Sequence, residues 1–349
     1  MGLSPKSRIV LDAMGGDHAP ANEIAGAMEA LRQFPAELEV ILVGNEPLIR
    51  EHLAKQPTEH PAISIINADD VITMEDSPTA SLKQKKNSSI AVGMRLHQEG
   101  KADAFVSAGN TGAVLSASTL ILGRVKGVSR PTIAAFFPSE KEVCLLLDAG
   151  TNVDCKPQHL YEFAVMGSVY VNKVLRIDRP RVGLLNVGEE ESKGTATVQE
   201  AHQLLKSGHL NFIGNVEGRD ILKGTAHVIV CDGFVGNIVL KFGESVPSFL
   251  KSRLKRYADQ SFLKTLRIGL VRSPLKMSLK DMDYEEIGGV PVLGVNGVSI
   301  IGHGRSTPKA IKNMIVRAVE VARSQINKHI EATLAGPPAG SIGARQSVS

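Results

Sequence analysis

The stretch SRIVLDAMGGDHAP, residues 7–20, joins an apolar run to an Asp- and Gly-rich turn and indicates how this 349-residue chain folds. Ile9, Val10 and Leu11 form a continuous apolar run, which is typical of parallel strands that are covered on both faces. A helix-like segment begins at Asn22, directly after the turn. The stretch therefore predicts a strand, loop and helix of a parallel sheet.

The same pattern recurs along the chain. Further apolar runs occur in LEVILVG, AISIINA, ADAFVSAG, EVCLLLDAG, RVGLLNVG, LNFIGNV and AHVIVCDGF. Helix-like segments lie at residues 22–33, 79–98, 111–122, 157–175, 195–206 and 236–256. This alternation predicts a doubly wound, mostly parallel α/β/α sandwich. No Pro- or Gly-rich linker divides the chain, so we expect a single α/β domain over residues 1–335, with room for two lobes, and a disordered tail over 336–349.

Composition excludes several classes of protein. The hydrophobic fraction of 43% and the charged fraction of 22% are those of an ordinary soluble globular protein. With 40 basic and 36 acidic residues, no Trp and 4 Tyr, the chain does not resemble a nucleic-acid binder. No spanning helix or secretory signal is apparent, so a cytoplasmic location is expected. The cysteines, Cys144, Cys155 and Cys231, are expected to be reduced thiols.

Polar residues and glycines follow several apolar runs where the predicted strands end. The loops are DAMGGDHAP (12–20), SAGNTGA (107–113), DAGTNVDCKP (148–157), NVGEEESKG (186–194) and DGFVGN (232–237). The carboxyl ends of parallel strands lie at one edge of a sheet, so these loops are expected to meet there. Ordinary turns use the same residue types. However, glycines and free N–H groups at a helix start also favour an anion, and SAGNTG suits a phosphate.

Six motifs in this order resemble the PlsX family: DAMGGDHAP, KKNSS (85–89), SAGNTGA, DAGTN, NVGEEESKG and DGFVGN. The resemblance extends from about Arg8 to Thr333. It implies a fold like that of isocitrate/isopropylmalate dehydrogenases and phosphate acetyltransferases, a homodimer, and catalysis without a nicotinamide cofactor. The implied reaction moves a fatty acyl group from acyl carrier protein to inorganic phosphate. The acyl phosphate would pass to a membrane glycerol-3-phosphate acyltransferase of the PlsY type, in bacterial phospholipid synthesis.

Such a reaction needs a phosphate site, stabilisation of a tetrahedral oxyanion and a route for the leaving thiolate. Phosphate is itself the nucleophile, so no catalytic Ser or Cys is required. The residues predicted to bind phosphate or substrate lie in the loops and in KKNSS: Asp12, Gly15, Gly16, Asp17, His18, Lys85, Lys86, Asn87, Ser88, Ser107, Gly109, Asn110, Thr111, Gly112, Asp148, Asn152, Asn186 and Glu189. The predicted catalytic residues are Lys193, Asp232, Asn237 and His303.

These assignments have structural alternatives. Lys193 either stabilises the oxyanion or leaving group, or forms a salt bridge with Glu189 or Glu190. Asp232 either orients a lysine or substrate, or caps the next helix. His303 is a candidate for proton transfer because imidazole titrates near ~6.5, but a histidine at such a position is also commonly structural.

Two further chemistries are weaker interpretations. A covalent acyl-cysteine at Cys155 or Cys231 lacks a histidine at a recognisable partner position. A Mg²⁺ site at Asp148, Asp154 and Asp232 has no supporting ligand spacing. We therefore predict neither a metal nor a cofactor.

Residues 249–280 carry nine Lys or Arg and one acid, interleaved with apolar residues. The spacing predicts a basic amphipathic helix that Ser273-Pro274 ends or bends. Such a helix binds an anionic membrane surface or the acidic acyl carrier protein, unless it simply covers the core. The residues predicted to make these contacts are Leu254, Lys255, Arg256, Phe262, Leu263, Lys264, Leu266 and Arg267. The expected location is the cytoplasm, with peripheral association at the inner face of the plasma membrane.

Three rival functions remain open from the sequence. One is a phosphate acetyltransferase-like enzyme that uses acyl-CoA. Another is a non-catalytic membrane scaffold that binds acyl carrier protein. A β-decarboxylating dehydrogenase is the third, and it depends on the fold resemblance alone.

Overall fold

A computed structural model of the chain describes residues 6–56, 61–278 and 284–336. The strands are β1 (Ser7–Asp12), β2 (Leu38–Gly44), β3 (Ile63–Asn67), β4 (Ala104–Ser107), β5 (Thr132–Ile133), β6 (Ala135–Phe137), β7 (Cys144–Leu147), β8 (Val182–Leu185), β9 (Phe212–Val216), β10 (Val228–Val230), β11 (Val290–Leu293) and β12 (Ser299–Ile301). The helices are α1 (Ala21–Gln33), α2 (Glu46–Ala54), α3 (Pro78–Gln84), α4 (Ser89–Gln98), α5 (Thr111–Ala117), α6 (Pro157–Lys173), α7 (Ala196–Ser207), α8 (Gly218–Lys223), α9 (Gly233–Ala258), α10 (Phe262–Ser278), α11 (Tyr284–Ile287), α12 (Pro308–Ser324) and α13 (Ile326–Leu334). A π-helical turn, Ser118–Leu122, extends α5. Of the predicted disordered tail, all but Gly336 lies outside the described residues.

The described chain divides into two compact units. The first comprises residues up to Gly123 and those from Leu240 to Ser324, and the second comprises Arg124 to Val239 and the residues from Gln325 onwards. Each unit has its own mostly parallel sheet, which confirms the α/β class. The expectation that the polar loops share one sheet edge is wrong, because β1 and β4 belong to one sheet and β7, β8 and β10 to the other.

In the first unit the strands lie in the order β3-β2-β1-β4-β12-β11. The first five are parallel, and β11 is antiparallel to β12. Strand β1 is central, and its Ile9, Val10 and Leu11 are all 0% exposed, as expected for a strand covered on both faces. The carboxyl ends of β1, β4 and β12 are therefore neighbours, which places the loops after Asp12, Ser107 and Ile301 side by side.

Helix α1 packs closely against α12 in the same unit. A Cβ atom at Gly26 would lie 2.6 Å from the Pro308 carbonyl oxygen, so only glycine permits this approach. The buried face of α1 is otherwise apolar, with Ile24, Ala27 and Leu31 at 0% exposure. This packing fixes the start of α1, and with it the loop that follows β1.

In the second unit the strands lie in the order β6-β7-β10-β8-β9. Strands β7, β10, β8 and β9 are parallel, and β6 pairs antiparallel with β7. Helix α6 covers this sheet with Phe163 and Tyr170, both 0% exposed, and Gly167 lets it approach Val228. The polar loops after β7, β10 and β8 therefore lie at one edge of this second sheet.

Two predicted helices differ from the observed ones. The segment 79–98 forms α3 and α4 rather than one helix, because the Ser88 hydroxyl accepts a hydrogen bond from the Ala91 N–H and starts a new helix there. Pro274 does not end the helix, since α10 continues through it to Ser278. Pro274 is exposed, so water can hydrate the carbonyl that it leaves unpaired.

Candidate active site

The loop after β1 in the first unit is built on a buried carboxylate. Asp12 is 1% exposed and accepts a hydrogen bond from the Ser107 hydroxyl at 2.7 Å and from the Met14 N–H at 3.1 Å. The Ser107 hydroxyl in turn accepts from the Gly109 N–H at 3.0 Å. Burial raises the pKa of Asp12, while the bonds from Ser107, Ser89 and Met14 oppose that rise. This network holds the ends of β1 and β4 together.

Gly15 lies directly on this carboxylate. A Cβ at Gly15 would lie 2.3 Å from Asp12 Oδ2 and 2.8 Å from Ser107 Oγ, so a side chain there would displace the network. Gly109 is constrained less, since its Cβ would be 3.1 Å from Ser107 Oγ. The glycines of this edge therefore allow close packing of backbone against a charged group.

Asn110 and Lys85, both predicted to bind phosphate, hold a neighbouring loop. The Asn110 side chain caps α5 by accepting from the Ala113 N–H, and its Nδ2 donates to the Thr73 carbonyl at 2.9 Å. Lys85 Nζ donates to the Val71 carbonyl at 2.8 Å and to Asp76 at 2.6 Å. The pKa of Asp76 is lowered chiefly by this bond from Lys85. Both side chains thus have structural partners within the protein.

The other predicted residues of this edge differ in their availability. Ser88 is a helix cap, and Asn87 Nδ2 donates to Asp69 at 2.7 Å. The exposed side chains that remain at this edge are Asp17, His18, Lys86, Thr111 and His303. One ring nitrogen of His303 accepts a hydrogen bond from the Arg305 N–H at 3.1 Å. Gly16 and Gly112 complete the set in these loops.

Sequence reasoning missed Glu23, which is buried beneath the same loop. It lies in the first turn of α1 at 0% exposure, and burial raises its pKa to about 8. The available signal was its position, because Glu23 falls on the face of α1 that Ala27 and Ala30 bury. An acid on an apolar helical face is an exception that calls for an explanation.

In the second unit, Asp148 organises the loop after β7. Its carboxylate is 0% exposed and accepts from the backbone N–H groups of Gly150, Thr151 and Asn152, and from the Asn152 side chain. The Asn152 amide also donates to the Pro131 carbonyl at 2.9 Å. Asp148 and Asn152 were predicted to bind substrate, but their side chains make their hydrogen bonds within the protein, mainly to the loop after β7.

The start of α9 packs on this loop. Asp232 caps the helix by accepting from the Val235 N–H at 2.8 Å, as in the structural alternative for this residue. A Cβ at Gly236 would lie 1.8 Å from the Asp148 carbonyl oxygen, so glycine is essential there. Asn237 lies one residue further on and is exposed, with its Cβ close to Gly150. Within the described residues its amide has no hydrogen-bond partner.

Loop 186–194, after β8, is held by amide side chains. Asn186 Nδ2 donates to the Lys193 carbonyl at 3.0 Å, and Gln199 Nε2 donates to the Ser192 carbonyl at 2.7 Å. Lys193 is exposed and, in the described part of the chain, its ammonium group has no ion pair. Glu189 instead contacts Arg219 at 3.5 Å. The salt-bridge alternative for Lys193 is therefore not observed, and its ammonium group is accessible.

Thiol and metal chemistry have little support at this edge. Burial, together with Asp148 and Asp232, raises the pKa of Cys155 to about 12, and the pKa of Cys231 is also raised by burial. A reactive thiolate is therefore disfavoured at neutral pH. Among the described residues no group of three or more His, Cys, Asp or Glu side chains is placed to hold a metal ion.

Helices α9 and α10 expose apolar side chains beside their basic ones. In α10, Phe262 is 81% exposed, Leu263 66% and Leu266 54%. The basic residues predicted to contact a membrane or acyl carrier protein lie on the same two helices: Lys255, Arg256, Lys264 and Arg267. Leu254, which belongs to the same prediction, is half-buried. The sequence prediction missed Phe234, Ile238 and Phe242, which are exposed at intervals of four residues in α9. No helix of the described residues is long and apolar enough to cross a membrane.

The fold is that of the phosphotransacylases. The chain matches the EutD phosphotransacetylase from Staphylococcus aureus with a TM-score of 0.60 at 20% identity, over 92% of this chain and 96% of that one. It matches a branched-chain phosphotransacylase from Enterococcus faecalis V583 with a TM-score of 0.56 at 12% identity, over 90% and 99% of the two chains. These likenesses confirm the fold that the sequence motifs imply.

Sequence comparison then gives the family. Residues 7–329 match the family described as fatty acid synthesis protein. The chain is 49% identical to a phosphate acyltransferase from Heliobacterium modesticaldum, over 94% of this chain and 96% of that one. It is 47% identical to a phosphate acyltransferase from Alkaliphilus oremlandii, over 93% and 96% of the two chains. The chain belongs to this family of phosphate acyltransferases, so the predicted resemblance and the enzyme class are confirmed.

Proposed function

We propose that this enzyme transfers a fatty acyl group from acyl carrier protein to inorganic phosphate and releases acyl phosphate. One observation in the second unit supports the proposal. The side chains of Lys193 and Asn237 are exposed, whereas the neighbouring polar side chains already form hydrogen bonds within the protein. A cation and an amide on rigid loops can stabilise negative charge that develops during acyl transfer. Family membership supplies the acyl and phosphate substrates as classes.

The proposed chemistry follows the electron flow of thioester phosphorolysis. A phosphate oxygen attacks the thioester carbonyl carbon, and the carbonyl oxygen becomes an oxyanion. Collapse of this intermediate breaks the C–S bond and expels the phosphopantetheine thiolate, which then takes a proton. Lys193 and Asn237 are proposed to stabilise the oxyanion and the thiolate. His303, in the loop after β12 of the first unit, stays a predicted residue for proton transfer.

Acyl carrier protein is favoured as the donor by the surface of α9 and α10. Lys255 and Arg256 at the end of α9, and Lys264 and Arg267 on α10, present cations beside exposed Phe262. Cations spread over two helices complement the extended acidic surface of the carrier protein. The same surface suits an anionic bilayer. We therefore also propose peripheral membrane association. The family resemblance alone supports the further proposals of a homodimer and of delivery of product to a PlsY-type membrane acyltransferase.

The decisive experiment supplies palmitoyl-acyl carrier protein with and without inorganic phosphate. Free carrier thiol is recorded while acyl phosphate is trapped as its hydroxamate. Thiol release that requires phosphate and equals hydroxamate would establish the transferase, and palmitoyl-CoA in a parallel reaction would identify the preferred donor. Carrier binding with neither product would contradict the proposal and leave a non-catalytic scaffold.

The membrane component has its own test. Replacing Leu266, 54% exposed in α10, with Ser should lower binding to phosphatidylglycerol-containing vesicles about fivefold to thirtyfold, because each buried leucine contributes on the order of 1–2 kcal/mol. Leu120, 63% exposed in the π-helical turn, provides the matched control when replaced with Ser. Equal binding by the two variants in a co-sedimentation assay would contradict a membrane role for α10.

A further inference from the structure

A glutamate without a partner lies under the loop that joins β1 to α1. Glu23 is in the first turn of α1, and its side chain is 0% exposed. Among the described residues, neither of its carboxylate oxygens has a hydrogen-bond partner apart from its own backbone N–H. Buried polar groups are nearly always paired, because desolvation without compensation costs free energy. The position of Glu23 therefore requires a reason.

The loop closes directly on this side chain. A Cβ at Gly16 would lie 2.3 Å from Glu23 Oε1 and 3.5 Å from the Gly304 carbonyl oxygen. The neighbouring Asp17 N–H donates to the same Gly304 carbonyl at 2.8 Å. The bond from the Asp17 N–H thus ties residues 13–20 to the loop after β12, over the carboxyl group. Gly16 is the contact point, and only glycine leaves room for the carboxyl group.

Within the described residues, no cation pairs with the carboxyl group of Glu23. Charged or titratable groups on the surrounding elements are Asp12 at the end of β1, Asp17 and His18 in the loop, His303 and Arg305 after β12, and Lys309 and Lys312 on α12. Asp12 is the one that acts on the pKa of Glu23, and it raises that pKa further. Burial is the larger cause, and together they raise the pKa from 4.5 to about 8.

We propose that Glu23 is a positioning residue for phosphate: its uncharged carboxyl group lets residues 13–20 close, and its ionisation opens the loop and weakens phosphate binding. The inference rests on the proposed function, in which phosphate is the acyl acceptor, and on the sequence prediction that the loop after β1 binds phosphate. It adds a residue that lies beneath the loop and acts on phosphate only through the backbone of Gly16 and Asp17.

The direction of the pH effect follows from proton linkage. In the closed loop Glu23 keeps its proton up to about pH 8, whereas water entering an open loop restores the ordinary value of 4.5. Opening therefore releases a proton between these two pH values, so a rising pH favours the open loop throughout that window. Below pH 4.5 both states are protonated, and above pH 8 both are ionised, so the effect is constant outside the window.

The test compares the KM for phosphate in wild type and Glu23→Gln between pH 6 and pH 8. The amide keeps the size of the side chain but cannot ionise. Dividing the two KM values at each pH removes the ionisation of phosphate itself. We expect the ratio of wild-type to variant KM to rise about tenfold or more over this range, since full linkage corresponds to roughly tenfold per pH unit. A constant ratio would overturn the proposal.

Glu29→Gln is the matched control, because it makes the same change at a half-buried position of the same helix. Its ratio to wild type should stay constant with pH. If Glu23→Gln does not fold, Glu23→Met supplies a second uncharged side chain of similar length. Equal ratios for the variants at positions 23 and 29 would assign any pH effect to net charge rather than to the loop.

A second measurement does not depend on activity. Amide hydrogen exchange of residues 13–20 is compared between wild type and Glu23→Gln at matched pH. We expect faster exchange in wild type at pH 8 and convergence toward pH 5. Equal exchange at pH 8 would reject the role of Glu23 even in an active enzyme. Faster exchange with no phosphate-dependent turnover would retain the loop effect and reject the proposed function.

Discussion

The loops at the two sheet edges share Asp and Gly residues but use them differently. In the first unit Asp12 is bonded to Ser107, and Glu23 is buried with no side-chain partner among the described residues. In the second unit the Asp148 carboxylate accepts hydrogen bonds from neighbouring backbone N–H groups, and the side chains of Asn237 and Lys193 are exposed. A carboxylate that has satisfied its hydrogen bonds builds a rigid loop, while an amide or ammonium group without a partner can meet a substrate. The residue type alone does not separate these two roles.

The largest expected effect tests the rigid part of the second-unit edge. Gly236→Ala places a Cβ against the Asp148 carbonyl oxygen, where 1.8 Å is available, and should lower the free energy of unfolding by about 3 kcal/mol. Gly218→Ala is the control, since nothing lies within 4 Å of its Cβ, and it should be neutral or slightly stabilising. Urea denaturation followed by circular dichroism measures both. Similar urea midpoints for the two variants would contradict the prediction, because the loop after β7 would then accommodate the added methyl group at little cost in stability.

The next effect tests the accessible groups. Lys193→Ala and Asn237→Ala should each lower kcat/KM about 100-fold, because each removes a donor that stabilises developing charge. Both side chains are exposed, so the free energy of unfolding should change by less than about 0.5 kcal/mol. Steady-state kinetics with palmitoyl-acyl carrier protein and a denaturation curve measure the two quantities. If the free energy of unfolding fell by as much as the activation free energy rose, these residues would have a structural role rather than a catalytic one.

The smallest effect tests the engaged side of the comparison. Asn110→Ala removes the cap of α5 and the bond to the Thr73 carbonyl, and should lower the free energy of unfolding by about 1–2 kcal/mol. We expect kcat to fall less than tenfold, because the Asn110 amide is already bonded to the neighbouring loop. A larger fall in kcat with unchanged stability would instead support the predicted direct contact between Asn110 and phosphate.

The sequence was informative wherever a local pattern carries its own physical cause. Apolar runs predicted β1, β2, β3, β4, β7, β8, β9 and β10. The cause is clearest for β4, β7 and β10, which are buried along their whole length, because strands covered on both faces need continuous apolar runs. The ordered motifs identified the family, since each couples a strand end to a glycine turn. The sequence analysis did not anticipate the interruption of the 79–98 segment, because serine is tolerated inside helices even though it favours N-cap positions such as that of Ser88.

The sequence by itself determined the α/β class, the family and the polar loops that make up the two edges. Only the tertiary structure divided these loops between two sheets, because strand order depends on pairing between residues far apart in the chain. It also decided which polar groups are available. Asn110 and Lys193 are both polar residues in loops after strands, but long-range partners such as the Thr73 carbonyl occupy the first and leave the second exposed. Glu23 shows the same principle, because its burial beneath Gly16 arises only when α1 packs under its own loop.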